Sequence, residues 1–520
     1  MAVDMHSEVF RAVYDSLVEP APATLDWAEL EARVAEAPAL PRRRTRWQLP
    51  VDGRARRWAW IVATAAIALA LVGGFAILLR GGEDIEPPVI TRPVVSTTLP
   101  SPTTSLPPAT TTPSTTATTT PTTLAESAGL MDWELASVPS LLNEYRPDGL
   151  GEIMNTVVGS ADGWVAAGTT AYNVISGETS DPGWVAAFWT SPDGREWERV
   201  PHDDDVFGGA DNYYVVSDIT AGGPGYVAVG HALDREGYDL TSFAEYVVWG
   251  MGSDYQDAAV WVSEDGSTWS RVSSEGLGGP GWQIMTGVTS GDSGLLAVGL
   301  VQDEEGSALW TSVDGSDWQR VDPNPFRGTN VWSISTNDQG YLASGNIDFQ
   351  PTIWQSQDGI DWTATQLTEP GTDIRGEAQG VVRFGDTIIA AGFAAGDVGM
   401  GDHVAGIWTS SDAGETWDQV PPFTSTVRQT DLFGLVADNN GLVAGGQQYD
   451  WNDPDWARTA IWVSRDGGAI WEKVPHQDEV FGGYGETAMK LFSLAAYDGT
   501  YVGVGAMRGD PAAWVGVWSG

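Results

Sequence analysis

The sequence of 520 residues contains no cysteine. Disulfides, thiolate zinc sites and cysteine nucleophiles are therefore excluded, so a domain facing an oxidising exterior must be stabilised by its core alone. Positive charge is also scarce, because 26 Lys and Arg stand against 70 Asp and Glu and give a formal net charge of -44. Such a charge repels phosphates, so we expect no nucleic-acid partner and favour a cationic, neutral or metal-bridged one.

Tryptophan and glycine, in contrast, are abundant, with 26 and 63 copies. Many aromatic residues separated by glycine-rich turns favour numerous short strands over helices. The length of the chain does not decide the number of domains, because repeat folds depart from the usual relation between length and domain count.

The N-terminal region is predicted to anchor the chain in a membrane. Residues 1–57 form a predicted cytoplasmic tail, in which seven arginines lie within the last 16 positions. An uncharged apolar run follows at 58–79, and a helix of this length is roughly 33 Å long, enough to cross a bilayer core. The positive-inside rule keeps the arginines in the cytoplasm and places everything after residue 80 outside. The alternative, a cleaved signal peptide, has a shorter leader and a shorter apolar core.

Residues 80–127 are predicted to form an extracellular stalk. Within 96–124, Thr, Pro and Ser occupy 24 of 29 positions and no residue is charged. Such a composition cannot form a core, and it favours extended polyproline II at about 3.1 Å per residue, or roughly 90 Å in all. Threonine and serine also make the segment a candidate for O-glycosylation.

Two motifs recur through residues 128–520. The first is a short apolar strand that ends in glycine, and the second is a hairpin with Asp-Gly or Asp-Ala-Gly between two tryptophans, which is the residue chemistry of a tight turn. The strand occurs seven times, at 163–168, 225–230, 294–299, 340–345, 387–392, 441–446 and 500–505. The complete hairpin occurs six times, from Trp189, Trp261, Trp310, Trp354, Trp408 and Trp462.

The seventh hairpin is incomplete, and the sequence predicts that its last strand comes from elsewhere in the chain. The chain ends at Trp518-Ser519-Gly520, which we align with the leading Trp-Thr-Ser of the other hairpins, and residues 131–138 match their closing strand with Trp133 in the place of Trp197. The sequence therefore predicts an all-β fold, a seven-bladed β-propeller of four-stranded blades closed by an N-terminal strand, which removes the exposed edge of an open array.

The hairpins carry a resemblance to a known family. Their S-x-D-G-x-x-W pattern resembles the Asp boxes, or bacterial neuraminidase repeats, of sialidase-type β-propellers, and the resemblance covers about residues 131–520. In that family the boxes lie on the face opposite the active site. The resemblance therefore implies a structural role for the aspartates of all six hairpins, Asp193, Asp265, Asp314, Asp358, Asp412 and Asp466.

A ligand-binding surface is predicted on the other face, where strands two and three of each blade are joined. The longest of these loops occur in blades two and six, and both mix acids with aromatics, which can stack on sugar or cationic groups and accept hydrogen bonds. Alternatively, the acids merely solvate long loops. The candidate residues are Asp234, Glu236, Tyr238 and Asp239 in blade two, with Tyr449, Asp450, Trp451, Asp453, Asp455 and Trp456 in blade six.

Two blade linkers, 200–209 and 474–483, are near copies of each other. The first contains His202 and the acids Asp203 to Asp205, which are metal-ligand types, but the spacing of a calcium-binding loop is missing. We interpret both linkers as a shared turn that buries Phe207 and Phe481. The sequence therefore predicts no metal site and no cofactor.

The family resemblance also raises catalysis as a rival function. Sialidases use an arginine triad, a Tyr–Glu nucleophile and an acid/base Asp, but their Phe-Arg-Ile-Pro motif is absent, and Phe326-Arg327-Gly328 lacks its context. We therefore expect a monomeric cell-surface propeller of the plasma membrane that binds or scaffolds a glycan or protein ligand. An exo-glycosidase of sialidase type and a transmembrane sensor that signals through its tail are the alternatives. The arginines left for a triad on the loop side are Arg235, Arg327, Arg375, Arg428, Arg458 and Arg508.

Overall fold

The computed structural model describes residues 131–140, 151–171, 183–209, 212–233, 257–303, 306–367, 375–395, 403–420, 429–450, 453–483, 489–507 and 509–519. In these ranges the chain forms seven four-stranded antiparallel sheets. The predicted tail, apolar run and stalk lie outside them, so these domain boundaries stay predictions. None of the helices in these ranges has the length and apolarity that a membrane crossing requires.

The first four blades follow one another along the chain, and each runs from its first strand to its fourth in sequence order. Their strands are β2 Glu152–Ser160, β3 Gly163–Ala171, β4 Trp184–Ser191 and β5 Glu198–Arg199; β6 Tyr213–Gly222, β7 Gly225–Leu233, β8 Ala258–Ser263 and β9 Trp269–Arg271; β10 Gln283–Gly291, β11 Gly294–Val301, β12 Gly306–Ser312 and β13 Gln319–Arg320; and β14 Asn330–Asn337, β15 Gly340–Ile347, β16 Gln350–Ser356 and β17 Thr363–Gln366.

Blades five and six repeat this order, and blade seven combines both ends of the propeller region. Within the described ranges, short helices lie in the linkers after blades one, two and six: α1 Asp204–Phe207, the 3-10 helix η1 Glu275–Leu277 and α2 Asp478–Phe481. The remaining strands are β18 Arg375–Phe384, β19 Thr387–Ala395, β20 His403–Ser410 and β21 Asp418–Gln419; β22 Gln429–Asp438, β23 Gly441–Asp450, β24 Asp453–Ser464 and β25 Glu472–Lys473; and β26 Met489–Tyr497, β27 Thr500–Met507, β28 Asp510–Trp518 and β1 Met131–Leu135.

The N-terminal strand β1 completes the last blade, as the sequence predicts. It pairs antiparallel with β28, with Met131 opposite Trp518 and Trp133 opposite Gly516. Trp133 is buried and its ring lies against that of Phe481, with centroids 6.4 Å apart. The predicted seven-bladed, four-stranded architecture is thus confirmed, and its edge is covered by the chain itself.

The predicted register of the C-terminal strand is wrong by four residues. Trp514, not Trp518, occupies the leading position, because Trp514 faces Gly503 and Leu135 as Trp189 faces Ala166 and Arg199. The alignment followed the Trp-Ser pair at the end of the chain, but strand pairing places this pair where the turn begins in other blades. Trp518 there donates its indole N–H to the Tyr501 hydroxyl at 2.9 Å.

The core lies between the blades. The leading tryptophan of each blade is buried, and apolar residues of adjacent sheets form clusters around it. In four blades a basic residue of the closing strand lies across from an aromatic ring; for example, the Arg199 guanidinium is 5.8 Å from the Trp189 ring centroid. Arg199, Arg271, Arg320 and Lys473 therefore stabilise the sheets by cation–π contact.

Each blade presents its turns on two faces. The turn between strands one and two lies against the hairpin between strands three and four: Gly163 adopts φ +115°, and a Cβ there would be 2.6 Å from the carbonyl oxygen of Ser191. We call this the hairpin face. The opposite end, with the turns between strands two and three and the blade linkers, is the loop face.

The first strands of the blades form the inner ring of the propeller. Each packs on the first strands of both neighbouring blades, so its unpaired edge faces the central axis. Every one of them contains a β-bulge two to four residues after the loop-face end of its ladder. Bulges re-aim side chains, and the residues at these bulges are Asn155, Ser217, Thr286, Trp332, Gln379, Phe433 and Phe492.

Candidate functional site

The Ser and Asp side chains of the six hairpins bond to the backbone of their own turns. In blade two, Ser263 Oγ accepts from the Gly266 amide at 2.9 Å, and Asp265 Oδ1 accepts from the amides of Ser267 at 2.8 Å and Thr268 at 2.7 Å. Such bonds replace the backbone partners that a tight turn lacks. The same acceptor arrangement occurs at Asp193, Asp314, Asp358, Asp412 and Asp466.

These bonds stabilise the charged form of the carboxylates. The pKa of all six aspartates is lowered. The backbone amide of Thr268 lowers the pKa of Asp265 to about 2, and the hydroxyl of Thr416 does the same for Asp412. The closing tryptophan completes the unit: in blade one, Trp197 Nε1 donates to the Gly194 carbonyl at 2.8 Å. The polar groups of these side chains therefore form their hydrogen bonds within the turn.

Much of the predicted loop site lies outside the described residues. This applies to Asp234, Glu236, Tyr238, Asp239 and Trp451. In blade six the segment predicted as a loop is mostly strand: β23 and β24 continue to the pair Asp450 and Asp453, with only two residues between them. The side chains of Tyr449, Asp450, Asp453, Asp455 and Trp456 on these strands lie outside the described part of the chain.

The two near-identical linkers form the expected shared turn. Both contain a one-turn helix, and Phe207 and Phe481 are buried. Each helix also holds the next blade, because Val206 O accepts from the Trp261 indole at 2.9 Å and Val480 O accepts from the indole of Trp514. Within the described ranges, no three His, Asp or Glu side chains gather as metal ligands.

Three of the six arginines considered for a sialidase-type triad lie within the described residues, and they belong to different blades or linkers. The guanidinium of Arg375, in blade five, lies 5.8 Å from the ring centroid of Phe349, in blade four. Arg458 belongs to blade six, where its charge helps to lower the pKa of Lys473 and His476 after the larger effect of burial. Arg327 is exposed in the linker before blade four. Arg235, Arg428 and Arg508 lie outside the described residues.

The loop-face end of the inner ring differs between the two halves of the propeller. In each first strand a buried aliphatic residue comes directly before the bulge. The residue before that one is apolar in blades one to three, where it is Ile153, Val215 and Ile284. Blades four to seven instead carry a polar or charged residue at this position. These residues are Asn330, Glu377, Asp431 and Lys490.

A chain of hydrogen bonds fixes the carboxylate of Glu377. Asn330 Nδ2 donates to Asn346 Oδ1 at 3.2 Å, and Asn346 Nδ2 donates to Glu377 Oε1 at 3.3 Å. Gln379 Nε2 donates to the other oxygen, Glu377 Oε2, at 2.8 Å. These bonds to both carboxylate oxygens set the orientation of the Glu377 side chain.

Aromatic side chains stand at the bulges of the same half. Trp332, Phe433 and Phe492 are all partly exposed, and the rings of Phe433 and Phe492 are 6.5 Å apart at an angle of 56°. Aromatic surface next to oriented polar groups is the usual lining of a ligand site. We call the following residues the mouth cluster: Asn330, Trp332, Glu377, Gln379, Asp431, Phe433, Lys490 and Phe492.

The mouth cluster was not predicted from the sequence, although a signal exists. A polar residue, an aliphatic residue and then a bulge residue follow one another at Asn330-Val331-Trp332, Asp431-Leu432-Phe433 and Lys490-Leu491-Phe492. The corresponding positions of blades one to three begin with Ile or Val. Loop length does not reveal this signal, which is visible only when the first strands of the blades are compared with one another.

Comparisons with known proteins concern the fold. Neither a family model nor a curated protein sequence matches this chain. Similar solved structures include a protein of unknown function from Dyadobacter fermentans (TM-score 0.42, 14% identity, 75% of this chain and 100% of that chain covered). Phage phi92 endosialidase has a TM-score of 0.40 and 10% identity, with 75% of this chain and 70% of that chain covered. Penicillium chrysogenum α-L-arabinanase has a TM-score of 0.40 and 12% identity, with 74% of this chain and 98% of that chain covered.

Proposed function

We propose that this chain is a noncatalytic binding propeller that recognises a carbohydrate at the mouth cluster. The observation that carries the proposal is the placement of three partly exposed aromatic residues, Trp332, Phe433 and Phe492, on the same half of the ring as the hydrogen-bonded Glu377. Aromatic faces pack on the C–H faces of sugars, and a fixed carboxylate and amides bond to hydroxyl groups.

The charge of the chain narrows the ligand class. With a net charge of -44, the protein repels polyanions. A neutral glycan can pack on the aromatic groups and form hydrogen bonds with the polar groups without electrostatic repulsion. We therefore place neutral oligosaccharides first, and a protein ligand is an outcome that the experiment below can reveal.

The N-terminal segments give this binding function its setting. We propose that the propeller is displayed outside the cell by one membrane-spanning helix at 58–79 and the Thr/Pro stalk. The six Ser-Asp hairpins are proposed to be Asp boxes that stabilise the fold, since their polar groups bond to their own turns. The acidic and aromatic segments that join strands two and three in blades two and six are proposed to extend the same loop-face surface.

Glycan-array binding followed by calorimetry tests the function. The full chain in mild detergent is expected to bind neutral oligosaccharides, and Glu377→Gln and Phe433→Ala are each expected to weaken binding about tenfold or more. Tyr497→Ala is the matched control, because Tyr497 is an exposed aromatic residue on the hairpin face. Binding that survives both mouth variants would refute the proposed site.

The same protein samples separate the rival function. Turnover of fluorogenic glycosides that is lost in Arg327→Ala would establish a glycosidase instead of a binding protein. An array without any glycan signal, together with saturable binding of a purified protein, would replace the carbohydrate with a protein ligand.

A further inference from the structure

The turn between strands two and three of blade four has an unusual backbone for its residues. Ile347 pairs with Gln350, so only Asp348 and Phe349 form the turn, and both have positive φ, 52° and 61°. Two-residue turns with this backbone favour Asn-Gly, because a bulky L-residue is strained there. The fold alone would be served better by glycine than by Phe349.

Phe349 is also one of the few large apolar residues that the described part of the chain exposes. It is 52% exposed, at the tip of the turn. The Arg375 guanidinium lies 5.8 Å from its ring centroid, so the ring is held from the side of blade five. A strained, exposed and supported aromatic ring is a feature of ligand-binding positions.

Hydrogen bonds connect this turn to the mouth cluster. The amide of Phe349 donates to Asn346 Oδ1 at 3.3 Å, and its carbonyl accepts from the Gly376 amide at 2.9 Å. Asn346 in turn donates to Glu377, which directly follows Gly376. The backbone of the turn is therefore fixed in position relative to the carboxylate of the mouth cluster.

We infer that Phe349 is a second sugar subsite, a stacking platform for a unit of a linear neutral oligosaccharide whose neighbouring unit is held at Glu377. This subsite rests on the proposed function, and it adds a length requirement: a monosaccharide fills only the mouth cluster, whereas a longer chain reaches Phe349. Stacking on an aromatic ring contributes to affinity beyond simple burial of area.

The test compares ligand lengths in one variant pair. Glucose, N-acetylglucosamine and their β-1,4-linked tetrasaccharides are titrated into the full chain by calorimetry. Phe349→Gly is expected to weaken tetrasaccharide binding about tenfold, to leave monosaccharide binding unchanged and not to lower the melting temperature. The matched control is Asp348→Gly, which relieves the positive-φ strain of the neighbouring turn residue and keeps the Phe349 ring. Its affinity for the monosaccharides and for the tetrasaccharides is expected to stay at the wild-type value.

Each remaining outcome overturns a defined statement. Tetrasaccharide binding that depends on Glu377 but is unchanged in Phe349→Gly removes the platform and leaves the proposed function intact. A lower melting temperature in Phe349→Gly with equal losses for both lengths would make the ring a structural element. If the wild-type chain binds none of the four sugars, both the neutral-glycan function and the platform fail.

Discussion

Asp218 is an acid within the inner ring whose carboxyl connects three blades. Its Oδ1 accepts from the Thr156 hydroxyl of blade one at 2.9 Å and from the Ile219 amide at 2.8 Å, and its Oδ2 accepts from the Val288 amide of blade three at 2.9 Å. Burial nevertheless raises its pKa to about 6. Desolvation therefore outweighs the hydrogen bonds, which favour the charged form.

A pH dependence of stability follows from this pKa. Between about pH 4 and pH 6 the folded chain holds a proton on Asp218 that the unfolded chain has lost, so the stability that this proton confers falls as the pH rises through about 6. Two pKa units correspond to a limit of about 3 kcal/mol, and contact of the residue with water reduces this value. Urea titrations at pH 4, 5, 6 and 7 should show the dependence.

Asp218→Asn provides the control for this effect. The variant cannot titrate, so its free energy of unfolding should fall less, or rise more, between pH 4 and pH 6 than that of the wild type, whatever the buried His231 contributes in both proteins. The hairpin aspartates act in the opposite direction and in another window, because their lowered pKa stabilises the fold until the pH falls below about 4. Equal slopes between pH 4 and pH 6 in both proteins would contradict the assignment.

Single residues were predicted unevenly from the sequence. The hairpin aspartates stand out in the sequence because the turn chemistry is local and is repeated in six blades. The mouth cluster was missed because it depends on which strands meet at the axis: Asn346 and Glu377 bond to each other across two blades, and no spacing in the sequence reveals that contact. The positive φ of Phe349 follows from a turn length that only strand pairing determines.

At the scale of elements, β1 is a five-residue strand that holds the two ends of the ring together. Trp133→Ala removes a buried indole and should lower the free energy of unfolding by about 3 to 5 kcal/mol. Asp132→Ala in the same strand removes an exposed side chain and should change it by less than about 0.5 kcal/mol. Denaturant unfolding of both variants measures the difference, and equal values would show that β1 does not carry the closure.

Elements with strong local patterns were predictable, and those fixed by pairing were not. The seven glycine-ended strands and the closing strand at 131–138 were found from repetition. The predicted C-terminal register is wrong because Trp514 lacks the serine that stands two positions after each of the other leading tryptophans, whereas Trp518 has a serine beside it. The segment 447–458 resembled a loop in composition, yet its backbone pairs as strands as far as Asp450 and Asp453.

At the scale of the whole molecule, the absence of cysteine makes the proposed topology simple to measure. Ser7→Cys in the predicted tail and Ser101→Cys in the predicted stalk each introduce the only thiol of the chain. A membrane-impermeant maleimide added to intact cells should label Ser101→Cys and not Ser7→Cys, and lysis should expose both. Labelling of Ser7→Cys in intact cells, or recovery of the chain outside the membrane fraction, would contradict the anchor.

The closing strand also has a mechanical consequence. In an anchored chain the tether joins the ring at Met131, the first residue of the strand that locks the ring. When a bound ligand resists movement of the cell, tension reaches the propeller through the five residue pairs between β1 and β28. The strand that closes the ring therefore also bears the force. Pulling on the tether would separate β1 from blade seven before it strained the other six blades.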